Sequence, residues 1–467
     1  MPKFVLEGQE DPMRTLCRMV IHTKYEDLPP NVVTYAKHSI LDTMAVIIGG
    51  SGLDAIPTVV DFVREKGGKP QSIIPFYGGK VPASEAAFAI GPMARAVDLG
   101  DVHEEAAHCS EYTLPTLLAA AGLKEKVTGK DLITAFVVGQ EVLIRIGIAF
   151  RLVSGGGPMN AGGGHWIFGC VAAAGKLLGL SQEELENAEG IARSMTQPHD
   201  LAKYTPATLL IRVHHGFVCQ DSINACLLAK RGITGPRHEV LVGPKGYLGL
   251  AKWQTDPEAL TRDLGEKWEM LNTEMKPYAA CKCTHTAADG ILEQMKEHNF
   301  KAADVAHIDV DESTINWTLV CIPQEKKWNP QTVPECQFSM PYVVATAACN
   351  QEIFLDSYTT EARGRQDIRD LMARISARED SSLPKWAARV HTTLKDGRQF
   401  SKVYSYVKGH PKNPFTEQEL VDKFKRCIPY SAYKLSDAVV TSLLRTLLNL
   451  EMVDDVTGNL LLPLTPG

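Results

Sequence analysis

Asp98, Asp101, His103, Glu104, Glu105 and His108 crowd one short stretch that follows an apolar, helix-patterned segment. Carboxylates and imidazoles are the side chains best suited to exchanging protons near neutral pH, so the stretch reads either as a proton-transfer loop or as a solvated helix end. Asp/His spacing alone is a weak metal signature without a second cluster to complete a coordination shell, and no metal site is expected. A second group, Gly162-Gly163-Gly164-His165-Trp166, leads glycines directly into a helix that begins with an imidazole. The free N–H groups and dipole of a helix start favour an anion and depress the pKa of a histidine there, which would make His165 a neutral base near pH 7. The plainer reading is a glycine-rich turn that ends on a histidine by accident. No buried strand precedes these glycines and no ribose-binding acid follows in context, so they do not form a dinucleotide fingerprint, and no cofactor is expected.

Ile211-Arg212-Val213-His214-His215 sets a guanidinium and two imidazoles at a helix start, where Arg212 could hold a carboxylate bidentately; a surface helix start is the alternative. Lys276-Pro277-Tyr278 runs on to Cys281-Lys282-Cys283-Thr284-His285. The cysteines stand one residue apart, with no second pair at zinc-finger spacing, so this is a poor metal cluster. The preferred reading is a loop that offers Lys276 and Tyr278 as polar contacts beside one buried thiol.

Elements must hold these groups in place. Val33, Ala36, Ile40, Leu41, Met44, Ile47 and Ile48 recur at helical steps after Pro30, with Gly49 and Gly50 as the expected stop. Further helices are predicted over 84–97, 114–123, 129–148, 164–178, 181–194 and 213–230, with Ala- and Gly-rich faces that allow close contact. After Lys276 the pattern turns to strands at 306–311, 317–321, 390–394 and 400–406, with a hairpin turn at Asp396-Gly397. Gly409-His410-Pro411-Lys412-Asn413-Pro414 cannot be regular structure, and helical patterns resume over 416–427 and 437–448. The predicted fold is mainly α with α+β: a large discontinuous helical domain plus a smaller α+β lid domain. The expected boundaries are 1–268 for its first part, 269–407 for the lid, and 408–467 for helices that return to the first domain.

At 467 residues the chain is too long for a single ordinary core. Its formal charge of −6, with no dense Lys/Arg cluster, argues against a nucleic-acid partner. The 11 cysteines cannot all pair within the chain and read as reduced thiols. The N-terminal segment lacks the basic-then-apolar order of a signal peptide, and the apolar runs look broken before bilayer length, so a cytoplasmic protein without membrane contact is expected.

Taken in order, these clusters resemble those of the MmgE/PrpD family, which includes 2-methylcitrate dehydratase, cis-aconitate decarboxylase and iminodisuccinate epimerase. The supporting strings are Leu41-Asp42-Thr43, Gly164-His165 with Ala172 to Leu180, Lys276-Pro277-Tyr278 to His285, Gln337-Phe338-Ser339-Met340-Pro341-Tyr342, and Gly409 to Pro414 with Lys423-Phe424, which together span nearly the whole chain. The resemblance implies a homodimer with its site at the domain junction. It implies catalytic roles for Asp98, His108, His165 and Lys276; the candidate substrate contacts beside them are Asp101, His103, Lys203, Arg212, His214, Tyr278, Cys281 and His285. Cys281 falls where animal decarboxylases of the family carry histidine and dehydratase-like members often carry cysteine. The chain departs from the family where hydratase and decarboxylase members place a lysine, here Ile211, and Gly100 and Val102 interrupt the acid-rich loop. The implied activity is cofactor-independent proton abstraction beside a carboxylate of a small polycarboxylic acid, with His165 as the base. A 2-methylcitrate dehydratase-like hydro-lyase is the first expectation, an iminodisuccinate-type epimerase the second, and a cis-aconitate-type decarboxylase the third. A catalytically impaired carboxylate-binding protein is the non-enzyme alternative.

Overall fold

The structure is a computed structural model that describes residues 10–150, 164–196, 208–251 and 254–466. Its first half is helical: α1 (Pro12–His22), α2 (Pro30–Gly50), α3 (Ile56–Lys66), α4 (Ala83–Arg95), α5 (Ser110–Ala121), α6 (Gly129–Phe150), α7 (Trp166–Leu178), α8 (Gln182–Arg193) and α9 (Leu210–Ala229). Two short strands, β1 (Ser72–Ile73) and β2 (Lys80–Val81), pair between α3 and α4. Helices α4, α5, α7 and α9 pack on one another around a buried core, with α2 against α4 and α6 against α7.

Small residues set these distances. Gly49 and Gly50 form the last positions of α2, as expected, and a Cβ at Gly50 would meet the Met93 carbonyl at 1.9 Å. The glycine that ends the helix is thus also the point where α2 and α4 touch. Helix α5 begins at Ser110, ahead of its apolar pattern, because the Asp101 carboxylate accepts from the Ser110 N–H at 2.9 Å and caps the start.

Helix α6 spans 22 residues and is apolar enough by composition to cross a bilayer, against the expectation of broken runs. Its apolar window is 94% buried inside the fold. The buried Arg145 pairs with Glu141 at 2.7 Å and donates to the carbonyls of Ala259, Arg262 and Lys267, so the helix serves as a core element.

After β3 (Val102–His103) and its partner β4 (Thr273–Glu274), an α+β domain follows, with α10 (His285–His298) packed on a four-stranded sheet of order β6-β5-β7-β8. The strands are β5 (Val305–Glu312), β6 (Ile375–Glu379), β7 (Ala388–Leu394) and β8 (Gln399–Tyr404); β5 and β6 are parallel and the other pairs antiparallel. The Asp396-Gly397 turn joins β7 to β8, with Gly397 at φ 89°. Residues 317–321 do not form the expected strand. They make a wide helical turn after α11 (Thr314–Asn316) that buries Leu319, Val320 and Cys321, and a short apolar run carries no period that separates buried strand from buried helix.

Helices α12 (Gln324–Lys327), α13 (Val333–Gln337), α14 (Met340–Asn350), α15 (Thr360–Gly364) and α16 (Gln366–Met372) complete this domain. Finally α17 (Glu417–Cys427) and α18 (Asp437–Leu448) return to pack on α2.

Candidate active site

Beyond α4 the chain turns through Asp98, at φ 52°, into β3, where Val102 lies opposite Glu274 and His103 opposite Thr273. That short ribbon lays the acid-rich loop beside the segment that carries Lys276. Lys276 Nζ reaches Asp98 Oδ1 at 2.7 Å and the Asp98 carbonyl at 3.2 Å, while Arg95 Nη1 donates to the same carboxylate oxygen at 2.5 Å. All three side chains are buried. Burial alone would raise the Asp98 carboxyl, but Arg95, Lys276 and His108 together hold it well below the usual carboxylate range, so it is ionised.

Side chains from distant elements pin this junction. Lys423 on α17 donates to the Lys276 carbonyl at 2.8 Å and the Leu99 carbonyl at 3.2 Å, and pairs with Asp42 of α2 at 2.6 Å. Gln337 Nε2 donates to the carbonyls of Val97 and Ala279, and its own carbonyl accepts from the Cys281 N–H.

His108 stands at the entrance to α5. Its Nδ1 lies 3.1 Å from Glu111 Oε2 and 3.2 Å from the Asp101 carbonyl. Both neighbours are acceptors, so Nδ1 carries the hydrogen and Nε2 is the basic nitrogen. Burial pushes the imidazole pKa down, and Arg95 and Lys276 add to this against the opposing pull of Glu111; His108 is neutral at pH 7. Glu111 is held well below its usual range despite its burial, by His108, His215 and Arg95. His215 Nε2 is 3.3 Å from Glu111 and its ring stacks on Tyr112 with centroids 3.7 Å apart. Gly100 has a steric reason to be glycine: its N–H donates to Glu111 Oε1, and a Cβ there would lie 2.1 Å from that oxygen.

Asp98, His108, Lys276, Cys281 and Lys282 share the walls of a cavity of about 50 Å³ that Trp386 helps to close. The Cys283 thiol donates to Cys281, which lowers the Cys281 pKa against the opposing effect of burial. Lys282 is buried and forms a two-oxygen pair with Glu274, each contact 2.5 Å.

Of the residues singled out in the sequence, the fold thus gathers Asp98, His108, Lys276 and Cys281. The others are placed elsewhere. His165 is fully buried with Nε2 3.0 Å from the Ala106 carbonyl, behind the turn that carries Ala107 to the cavity wall, and it does not line the cavity. Asp101 is occupied as the α5 cap, and burial raises its pKa to about 7. His103 accepts the N–H groups of Glu105 and Ala106 on Nδ1 and faces an outer groove instead. Arg212 lies inside α9 and donates to the Asp54 carbonyl at 3.1 Å, while His214 packs against His215. The Tyr278 hydroxyl donates to Asp289, and His285 contacts the Ala280 carbonyl at 3.0 Å. In each case a local partner at short sequence distance or within the same layer outcompetes the cavity. Lys203, Gly162 and Gly163 lie outside the described residues.

Arg95, Glu111 and Lys282 join the site without having been singled out for it, and His215, noted only as one imidazole of the 211–215 cluster, joins it through Glu111. Arg95–Asp98 and His108–Glu111 are both at i,i+3 spacing, and that is the signal a sequence reader could have used.

A helical domain and an α+β domain that bury a carboxylate, two neutral imidazoles and lysines where they meet have the makings of an acid–base site for a small anion. The sequence matches the MmgE/PrpD N-terminal domain over residues 14–259 and the MmgE/PrpD C-terminal domain over residues 278–443, so the chain belongs to the MmgE/PrpD family. Its relatives include a cis-aconitate decarboxylase-like protein of Aspergillus oryzae, 26% identical over 443 residues (88% of this chain and 89% of the relative). The cis-aconitate decarboxylase of Aspergillus terreus is 25% identical over 446 residues, 88% of each chain. The human cis-aconitate decarboxylase is 26% identical over 449 residues, covering 92% of this chain and 90% of the relative.

Proposed function

We propose that this protein is a lyase of small polycarboxylic acids that moves a proton at the carbon beside a carboxylate. The observation that carries the reading is the neutral, Glu111-oriented His108 on the same cavity wall as the Lys276–Asp98–Arg95 cluster. In the reading, Lys276 pairs with the substrate carboxylate and His108 Nε2 takes the proton from the adjacent carbon. The resulting negative charge spreads onto the carboxylate, where fixed cations in a dry site stabilise it far more than they would in water. In a hydro-lyase the electron pair then forms the C=C bond as the C–O bond on the next carbon breaks. The protonated His108 returns its proton to the departing hydroxide, which leaves as water. His165 enters as the residue that fixes the Ala106–Ala107 turn from behind.

Dehydration of a 2-methylcitrate-like hydroxy acid is the first form of this chemistry. Decarboxylation is the second, favoured by the names of the relatives: the C–C bond to a carboxylate breaks, carbon dioxide leaves, and the carbon left behind takes a proton that His108 Nε2 has first drawn from solvent. The test is NMR in D₂O with citrate, 2-methylcitrate, cis-aconitate, malate and iminodisuccinate. Deuterium beside a carboxylate is expected, with an alkene, lost carbon dioxide or a stereoisomer identifying the reaction. His108→Gln is expected to slow exchange by roughly 10²-fold or more, the usual worth of a positioned acid–base group. Unchanged exchange in that variant would sink the assignment.

A further inference from the structure

The reaction cavity, at about 50 Å³, is far smaller than the roughly 300–1,000 Å³ of ordinary small-molecule sites. It has room for the reacting carbon and one carboxylate. Past Val102, Lys282 and Trp386, residues common to both walls, lies a second chamber of about 160 Å³. That chamber in turn shares Glu104, Asn272, Tyr406 and His410 with an outer groove of about 500 Å³. Among the described residues the three spaces are neighbours in series, each sharing wall residues with the next, and the last of them holds His108 and Lys276.

The second chamber offers donors. His410 Nδ1 accepts the Lys412 N–H at 3.0 Å, so in the neutral ring Nε2 bears the hydrogen. Burial first, then Lys282 and Lys412, lower the His410 pKa to about 4, which keeps the ring neutral. The Tyr406 hydroxyl accepts from Lys412 Nζ at 2.8 Å and so has its own hydrogen to give. Lys282 spends two contacts on Glu274 and has a third N–H. The acids that face the chamber already have cations: Glu274 has Lys282, and Glu104 has Lys385 at 3.8 Å, with Glu105 also on Lys385 at 3.1 Å. Asn272 directs its amide to Glu269. In the groove outside, His103 adds an Nε2 that is buried and has no hydrogen-bond partner.

The backbone keeps this chamber in register with the reaction cavity. Met275, next to Lys276, donates its N–H to the Gly409 carbonyl at 3.2 Å, and Gly409 in turn donates to the Asn413 carbonyl at 2.8 Å. Gly409 sits at φ 90°, and a Cβ there would strike the Met275 carbonyl at 1.8 Å. The irregular segment from Gly409 to Pro414 is therefore docked on the segment that carries Lys276, which places His410 beside it.

We propose that Lys282, Tyr406 and His410 form a subsite for the distal carboxylate of the substrate, selecting acids that carry a second carboxylate beyond the reacting carbon. The inference rests on the polycarboxylate reading above and adds which residues read the substrate's length. Tricarballylate, a tricarboxylate with neither hydroxyl nor alkene, is the probe, set against butyrate in titrations followed by NMR.

His410→Ala and Tyr406→Phe are each expected to lower the ratio of tricarballylate to butyrate affinity by about tenfold, one well-made charged hydrogen bond's worth. Tyr406 is 51% exposed, so its replacement leaves the fold intact. An unchanged ratio in both variants, equal weakening of both ligands, or a wild-type protein that ignores tricarballylate each overturns the subsite. A wild-type protein that binds tricarballylate with this dependence yet exchanges no proton with any acid loses the lyase reading and keeps the subsite.

Discussion

His108 serves as a base through its neighbour, because Glu111 and the Asp101 carbonyl both claim Nδ1–H and leave Nε2 for the proton. Glu111 also raises the His108 pKa, opposing the dominant downward effect of burial. In Glu111→Gln that upward pull is gone, so His108 protonates at a lower pH still. The acid limb of kcat/KM against pH is expected below the ordinary histidine value in the wild type and displaced further to acid in the variant. The loss of orientation is expected to cut kcat by at least about tenfold. An acid limb that stays in place would remove Glu111 from this role. Asp98 and His108 stood out as types because acids and imidazoles crowd positions 98–108, while Lys276 stood out through the family resemblance of its loop. Arg212, Tyr278 and His285 were equally legible as types, but Arg212 donates to the distant Asp54 carbonyl while Tyr278 and His285 find partners within 11 positions, and side-chain chemistry alone does not reveal that competition.

Among the elements, the helix α17 does more for the site than its distance in sequence suggests. Lys423 ties α2, the Leu99 loop and the Lys276 segment through one ammonium. Burial raises the Asp42 pKa and Lys423 opposes that rise. Lys423→Met would leave the Asp42 carboxylate buried without its cation, a loss of about 3–5 kcal/mol in urea denaturation near pH 7. Without Lys423 the Asp42 carboxyl holds its proton at higher pH in the folded than in the unfolded chain. The destabilisation is therefore largest above the carboxylate range and shrinks as pH falls and Asp42 becomes neutral. Asp42→Asn in the same background is expected to recover part of the loss, measured as a double-mutant cycle. The β3–β4 ribbon was not legible in the sequence: strands of two residues carry no period, and their pairing is imposed by the elements on either side.

At the scale of the whole molecule, the described residues include a group of exposed apolar side chains on α3 and α9. Phe62 on α3 is 51% exposed and Phe217 on α9 is 41% exposed, and both rings contact Phe88, with centroids 6.1 and 5.1 Å away; Leu210 is exposed on α9 as well. Exposed aromatic rings flanking a buried one, as Phe62 and Phe217 flank Phe88, suit an isologous dimer contact. We propose a homodimer through this face. Light scattering is expected to report twice the 51.2 kDa chain mass for the wild type and one chain for Phe62→Glu/Phe217→Glu. A wild-type monomer, or a double variant that stays dimeric, would remove the proposal.

The sequence by itself determined the helical first half, the later strands and hairpin, and the returning C-terminal helices, because apolar period and turn chemistry are local properties of a chain. It also marked which residue types were available for proton transfer. Only the tertiary structure decided which of them meet: Lys276 reaches Asp98 across 178 positions, and Lys423 reaches Lys276 across 147. It also decided that His108 rather than His165 lines the cavity, and that His410 stands in the chamber beside it. Those outcomes depend on packing between distant elements and on burial, which set both the neighbours and the protonation of each group, and neither is written in local spacing.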